Sequence, residues 1–186
     1  MARDLLGCVL VRVIDGRRLS GTIVETEAYR GSRDPASHAY GGKTARNAVM
    51  FGQAGHAYVY FTYGFHHCLN VTTEPNRRPG AVLIRAIEPV DGVGRMVENR
   101  GLDSEEHVSD GPGKLTKALM IDRALNGEDL VKSERLFLER GRKARKVATS
   151  ARVGIKVGTA FRWRFSVEGN RFVSGGKASL PHPQKP

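Results

Sequence analysis

Glu25, Glu27 and Tyr29 alternate along the segment Ile23-Val24-Glu25-Thr26-Glu27-Ala28-Tyr29. Alternation with a period of two belongs to an extended strand, which puts both carboxylates and the ring on one face and Val24, Thr26 and Ala28 on the other. If that face is solvent, two like charges beside a tyrosine need no further account. If it lines a pocket, a carboxylate next to an aromatic platform suits glycosidic hydrolysis, with a base to activate water and a surface to hold the leaving group. The segment alone leaves both readings open.

A second feature lies at Tyr63-Gly64, between the strand-like runs Tyr58 to Tyr63 and Phe65 to Thr72. A bulky ring at a hairpin tip is costly for solubility unless it has a partner, and one use for such a wedge is to fill the gap left in a base stack. All five tyrosines fall between positions 29 and 63, with Phe51, Phe61 and Phe65 among or beside them, whereas the more basic second half has none. Most of these rings are expected to be core, Tyr58, Phe51 and Phe61 in particular.

Charge narrows the partner. Lys and Arg exceed Asp and Glu by 11 in 186 residues, and a surplus of that size in one small domain points to a polyanion, nucleic acid first. Residues 132 to 171 hold twelve basic side chains against three glutamates and so carry +9 of the +11. Taken alone, that run also fits a solvated charged face. Aromatic density and positive charge are thus divided along the chain, as suits an enzyme that neutralises phosphates and stacks an extruded base.

Other classes recede. No apolar run reaches membrane-spanning length. Cys8 and Cys68 lie far apart with no apolar signal segment, so a reducing, cytoplasmic setting is expected. The six histidines show no metal-ligand spacing, and His66 and His67 are adjacent and face opposite ways on a strand. No metal site is expected.

The elements that must position these residues read as one α+β domain of mixed, largely antiparallel curved sheet with flanking helices and a protruding hairpin. Strands are expected at 5 to 13, 20 to 29, 58 to 63, 65 to 72, 81 to 86, 135 to 139, 153 to 156 and 162 to 167. Short helices are expected at 92 to 100 and 113 to 120, with a helical turn at 126 to 130. Residues 30 to 55 read as a long loop held by its own contacts, and long ordered loops in compact domains are often functional. Residues 1 to 173 form the domain. Residues 174 to 186 are Gly, Ser, Pro and Lys rich and read as a disordered tail.

Five segments, in order and at their spacings, resemble the alkyladenine (3-methyladenine) DNA glycosylases: Ile23 to Tyr29, Tyr58-Val59-Tyr60-Phe61-Thr62-Tyr63-Gly64, Leu83-Ile84-Arg85-Ala86-Ile87-Glu88-Pro89, Asp110-Gly111-Pro112-Gly113-Lys114-Leu115 and Ala151-Arg152-Val153-Gly154-Ile155. No single one of them is specific; the set is. The resemblance implies that Glu27 is the general base and that Arg85 helps hold the water. It implies that Tyr29, His38 and Tyr60 enclose a flipped base, that Tyr63 is the intercalating wedge, and that Asn70 crowds the 2-amino group of guanine. It further implies a hairpin entering the minor groove of double-stranded DNA containing damaged purines, a monomer, a nucleoid-associated bacterial setting and no cofactor. Family members usually have an N-terminal helix running into the segment that here begins at Ala2, so part of the run from Leu5 to Val13 is expected to be exposed and upstream residues are expected to add stability.

The chemistry agrees. Alkylated purines such as 3-methyladenine and 7-methylguanine are cationic, so they leave readily and are attracted to electron-rich rings, while hypoxanthine and ethenoadenine need more help. An ionised Glu27, kept so by Arg85, would take a proton from water and stabilise an oxocarbenium-like sugar. Two rival readings remain. One is a non-catalytic nucleic-acid-binding module, which the joint presence of Glu27, Arg85, His38 and Asn70 disfavours. The other is a carbohydrate hydrolase with Glu25 and Glu27 as paired acid and base roughly 6 to 7 Å apart, to which the net charge gives no answer.

Overall fold

Strand β2 (Arg17–Tyr29) organises the sheet because its 13 residues are long enough to serve several partners. A computed structural model of the chain describes residues 1–62, 64–74 and 78–175. One edge of β2 pairs antiparallel with β5 (Ala81–Asp91) along most of its length. The other edge is divided: β1 (Val9–Ile14) takes the first half, and β8 (Arg164–Val167) takes Glu25 to Glu27. The main path runs β3 (Ala57–Thr62), β4 (His66–Thr72), β5, β2, β1 and β6 (Leu136–Glu139), and β7 (Val147–Ser150) extends β8. Eight strands twisting in one sense curl the sheet.

Two helices pack against one another and against the sheet. In α1 (Val93–Arg100) the chain stops at Gly101, whose left-handed φ of 69° lets its own N–H and that of Leu102 return to the carbonyls of Glu98 and Val97. In α2 (Pro112–Ala118) proline sits at the first turn, where its missing N–H costs nothing. Met96 and Leu115 from these helices, with Leu119 just past the end of α2, bury against Leu69, Ile84 and Ile87 of the sheet. Each such side chain contributes about 1.5–3 kcal/mol through burial.

The expected single α+β domain with a largely antiparallel curved sheet is what forms. Details differ. The first strand starts at Val9, because residues 1 to 7 turn back and bond across to β2, with Gly7 N–H donating to Ile23 O and Thr26 Oγ1 to Ala2 O. Those turns bury Leu5 and Leu6 and leave nothing from Leu5 to Val13 exposed, contrary to expectation. Residues 153 to 156 are bends, not a strand, and the pairing there is taken by β7. Helical geometry falls at Arg123–Leu125, where Asp122 caps the turn, instead of 126 to 130. Phe61 is exposed, whereas Tyr58 is buried and Phe51 packs against its small cluster.

The long loop carries two 3-10 turns, Gly31–Arg33 and Ala48–Phe51. Gly31 has φ 58°, and a Cβ there would lie 1.9 Å from Pro79 O, so only glycine allows the loop to pass so close to its neighbour. Tyr63 and the residues beyond 175, on which the wedge and tail expectations fall, lie outside the described residues. The chain is tied down as far as Ser174, whose N–H donates to Glu25 Oε2 at 2.8 Å.

Candidate active site

The pairing of β2 with β5 is irregular where the acidic residues lie. Ile23 faces Ile87 and Glu25 faces Ala86, so Val24 is an extra residue on β2; Thr26 then faces Ile84, so Arg85 is an extra residue on β5. Bulges re-aim side chains. This one aims Arg85 at both glutamates: Nε donates to Glu25 Oε1 at 2.9 Å, and Nη1 lies 3.4 Å from Glu27 Oε1. Burial disfavours the guanidinium charge, but Glu27 and Glu25 outweigh it and the pKa of Arg85 rises.

The two glutamates, both 0% exposed, are not equivalent. Glu25 Oε1 accepts from Arg85, from Arg164 Nε at 2.5 Å and from Ser174 Oγ at 2.9 Å, while Oε2 accepts from Ser174 N–H. Four donors, two of them arginine guanidiniums, thus converge on Glu25, which serves as the counter-ion that anchors Arg85 and Arg164. The paired acid and base of a sugar hydrolase are therefore not assembled. Glu27 Oε1 accepts the Val153 N–H at 2.7 Å and faces Arg85, whereas Oε2 accepts only the Tyr29 hydroxyl at 2.9 Å. One lone pair of Oε2 stays open among the described residues.

Tyr29, Arg85 and Val153, which hold Glu27, also line a cleft of about 390 Å³. That is within the range of roughly 300–1,000 Å³ for small-molecule sites. Burial, then the charge of Glu27, pushes the Tyr29 phenol up, so it stays a donor.

The rest of the cleft comes from β3, β4 and the long loop. His38 Nδ1 lies 2.8 Å from the Tyr58 hydroxyl, and its ring meets Tyr60 edge-on with centroids 4.5 Å apart. Burial of the ring, then Arg46, lowers the pKa of His38, so it is neutral at pH 7. Burial pushes Tyr58 up to about 12. Asn47 fixes the loop behind His38, its Nδ2 donating to His38 O at 2.8 Å and Gly42 O at 2.9 Å. Asn70 Nδ2 donates to Tyr58 O at 3.1 Å, which anchors its amide at the cleft wall. Burial raises the thiol pKa of Cys68 beside it.

Six residues singled out in the sequence therefore converge: Tyr29, His38, Tyr60, Asn70 and Arg85 line the cleft, and Glu27 stands directly behind it. Sequence reasoning missed the supporting parts. Arg152 was counted among the basic surface residues, but its side chain and that of Asp34 are both 0% exposed, and they pair with each other. Nor does a backbone donor such as the Val153 N–H leave any mark in residue identity. Arg164, from the same basic run, is likewise turned inward to Glu25.

Comparison with known proteins gives the family. The family described as methylpurine-DNA glycosylase (MPG) matches residues 1–171. A protein of Carboxydothermus hydrogenoformans is 49% identical over 176 residues, covering 94% of this chain and 92% of its own length. One of Desulfitobacterium hafniense is 45% identical, covering 94% and 92%, and one of Methanocella arvoryzae is 48% identical, covering 94% and 89%. All three are provisionally named 3-methyladenine DNA glycosylases. The chain belongs to the methylpurine-DNA glycosylase family: it is a DNA glycosylase, a hydrolase whose substrate is DNA. No helix among the described residues is long and apolar enough to cross a membrane.

Proposed function

We propose that this enzyme removes alkylated and deaminated purines from double-stranded DNA, the class of 3-methyladenine, 7-methylguanine, hypoxanthine and ethenoadenine, and leaves an abasic site. The observation that carries the reading is the setting of Glu27: a carboxylate with one open lone pair, held from three sides at the back of a cleft walled by Tyr29, Tyr60 and His38. In this reading the damaged nucleotide is extruded and its base stacks among those rings, at a flipping cost that is least for a weakly paired base. Water bound to Glu27 Oε2 is activated and attacks the sugar as the base leaves. Arg85 orients Glu27 through the contact of Nη1 with Oε1, and its charge is balanced by Glu25 behind it.

Neutral His38 hydrogen-bonds an extruded base without repelling a cationic one. Asn70, anchored to Tyr58 O, crowds the 2-amino group of normal guanine. Tyr63 fills the gap in the stack as the wedge. The protein acts as a monomer.

The test is release of free base from duplexes each carrying one of the four lesions, against matched undamaged duplexes. Release of the lesions over normal purines supports the reading. Release of none of them, under conditions where the protein binds the duplex, overturns it.

A further inference from the structure

The cleft has two walls that are far apart in sequence, the loop after β2 and the segment after β7, and one buried ion pair joins them. Arg152 Nη1 lies 2.5 Å from Asp34 Oδ2 and Nη2 lies 2.8 Å from Oδ1, a two-pronged contact. The Asp34 carboxylate also accepts from the Arg30 and Ala36 backbone N–H groups, so it folds the loop around itself. Arg152 Nη1 reaches Ala28 O at 3.0 Å as well, which ties the pair to the end of β2. Gly158, with φ 66°, closes over both side chains: a Cβ there would lie 3.1 Å from Arg152 Nη2 and 3.4 Å from Asp34 Oδ1.

The same guanidinium is sandwiched between rings. It lies 4.6 Å from the Tyr29 centroid and 5.2 Å from the Trp163 ring, and Trp163 stacks on Phe161 at 4.2 Å with 6° between planes. Tyr29 lines the cleft and Arg152 does not. Arg152 therefore backs the Tyr29 ring on the side away from an incoming base. The ring is pinned in its plane by Arg152 and at its tip by Glu27. The next residue along, Val153, donates its N–H to the other oxygen of Glu27. Arg152 thus touches one support of Glu27 from outside β5, the Tyr29 ring, with its side chain and adjoins the other, the Val153 N–H, in the chain.

Stability alone does not account for this arrangement. Buried ion pairs often contribute nothing relative to well-packed apolar residues of the same volume. Among the described residues Arg152 Nε is also buried without a hydrogen-bond partner, a cost that offsets part of what the pair contributes to stability. A two-pronged guanidinium does supply what a site needs from its support, a fixed direction.

We propose that the Arg152–Asp34 pair is a positioning element, which locks the two cleft walls together and holds Tyr29 and the Val153 N–H against Glu27. Arg152 touches neither base nor sugar, so it controls the chemical step and not the grip on DNA. This rests on the reading of Glu27 as the base.

The experiment compares the wild-type protein with Arg152→Lys, which keeps the charge but loses the fork, and with Asp34→Asn, which keeps the shape but loses the anion. Single-turnover release of hypoxanthine at saturating duplex gives a rate constant and, separately, an amplitude that counts folded enzyme. Trp163 is the only tryptophan, so its emission reports the sandwich directly. The expected result is a rate constant about 10- to 100-fold lower in both variants, as for small misplacements of catalytic groups. It comes with shifted Trp163 emission, near wild-type amplitude and unchanged duplex affinity. A wild-type rate constant in either variant that folds, with only amplitude or melting temperature reduced, overturns the proposal and makes the pair a stability element. Wild-type protein that binds duplex but releases none of the lesion bases overturns the reading of the site itself, which separates the two failures.

Discussion

The Tyr29 hydroxyl donates to Glu27 Oε2 across 2.9 Å, on the same carboxylate oxygen that keeps a lone pair open. A residue that walls the cleft with its ring therefore also orients the group behind it with its tip. The two functions separate in Tyr29→Phe, which keeps the ring and removes the donor. Single-turnover excision should fall about tenfold, the order of one lost hydrogen bond to a charged group, while duplex affinity stays within a factor of about two. Excision at the wild-type rate would show that Val153 and Arg85 suffice to hold Glu27.

Asn70 gives a prediction of the opposite kind, a gain. Its amide is fixed by the bond from Nδ2 to Tyr58 O, so under the proposed reading a guanine carrying a 2-amino group would meet a wall that does not swing aside. Asn70→Ser and Asn70→Gly should raise excision of undamaged guanine relative to hypoxanthine, by an amount corresponding to about 1–3 kcal/mol of relieved crowding and unpaired polar groups. Measured as the ratio of rate constants on matched duplexes, unaltered discrimination would place selectivity elsewhere, in the extrusion step.

The pH dependence of stability follows from Asp34. Burial opposes its ionisation, but the Arg152 fork and the Ala36 N–H outweigh that and hold its carboxyl below the ordinary value of 3.8. A depressed carboxyl binds its proton less readily folded than unfolded, so its contribution is present above about pH 4 and is lost as pH falls through the folded value. Melting temperature should hold at mildly acid pH and drop steeply below about pH 4. Asp34→Asn should lower stability at pH 7, breaking a buried pair being worth about 3–5 kcal/mol, and should flatten the acid slope. An unchanged acid slope in the variant would remove Asp34 from the account.

The sequence made the chemistry legible where residue type and period coincide. Strand alternation from Glu25 to Tyr29 put two carboxylates and a ring on one face, and the fold uses that face. It did not distinguish Glu25 from Glu27 in physical terms, because the difference is made by Arg164, Ser174 and Val153, which arrive from more than 120 residues away. The paired bulges that aim Arg85 have no local signature, since a run of apolar residues around Arg85 reads as plain strand. The segment from Val153 to Lys156 misled for the same reason: its apolar character serves the cleft wall and not a strand. Charge count misled at Arg152 and Arg164, which are spent inside the protein, one on Asp34 and one on Glu25.

The central claim is that Glu27 activates the water. Glu27→Gln preserves the shape of the side chain and its contact with the Tyr29 hydroxyl but removes the base and its charge. Single-turnover release of hypoxanthine is the most direct measurement, because a neutral base needs the most help to leave. The expected result is a fall of at least roughly 10² to 10⁴ in rate, with lesion-duplex binding retained. A Glu27→Gln enzyme that releases hypoxanthine at near the wild-type rate would contradict it.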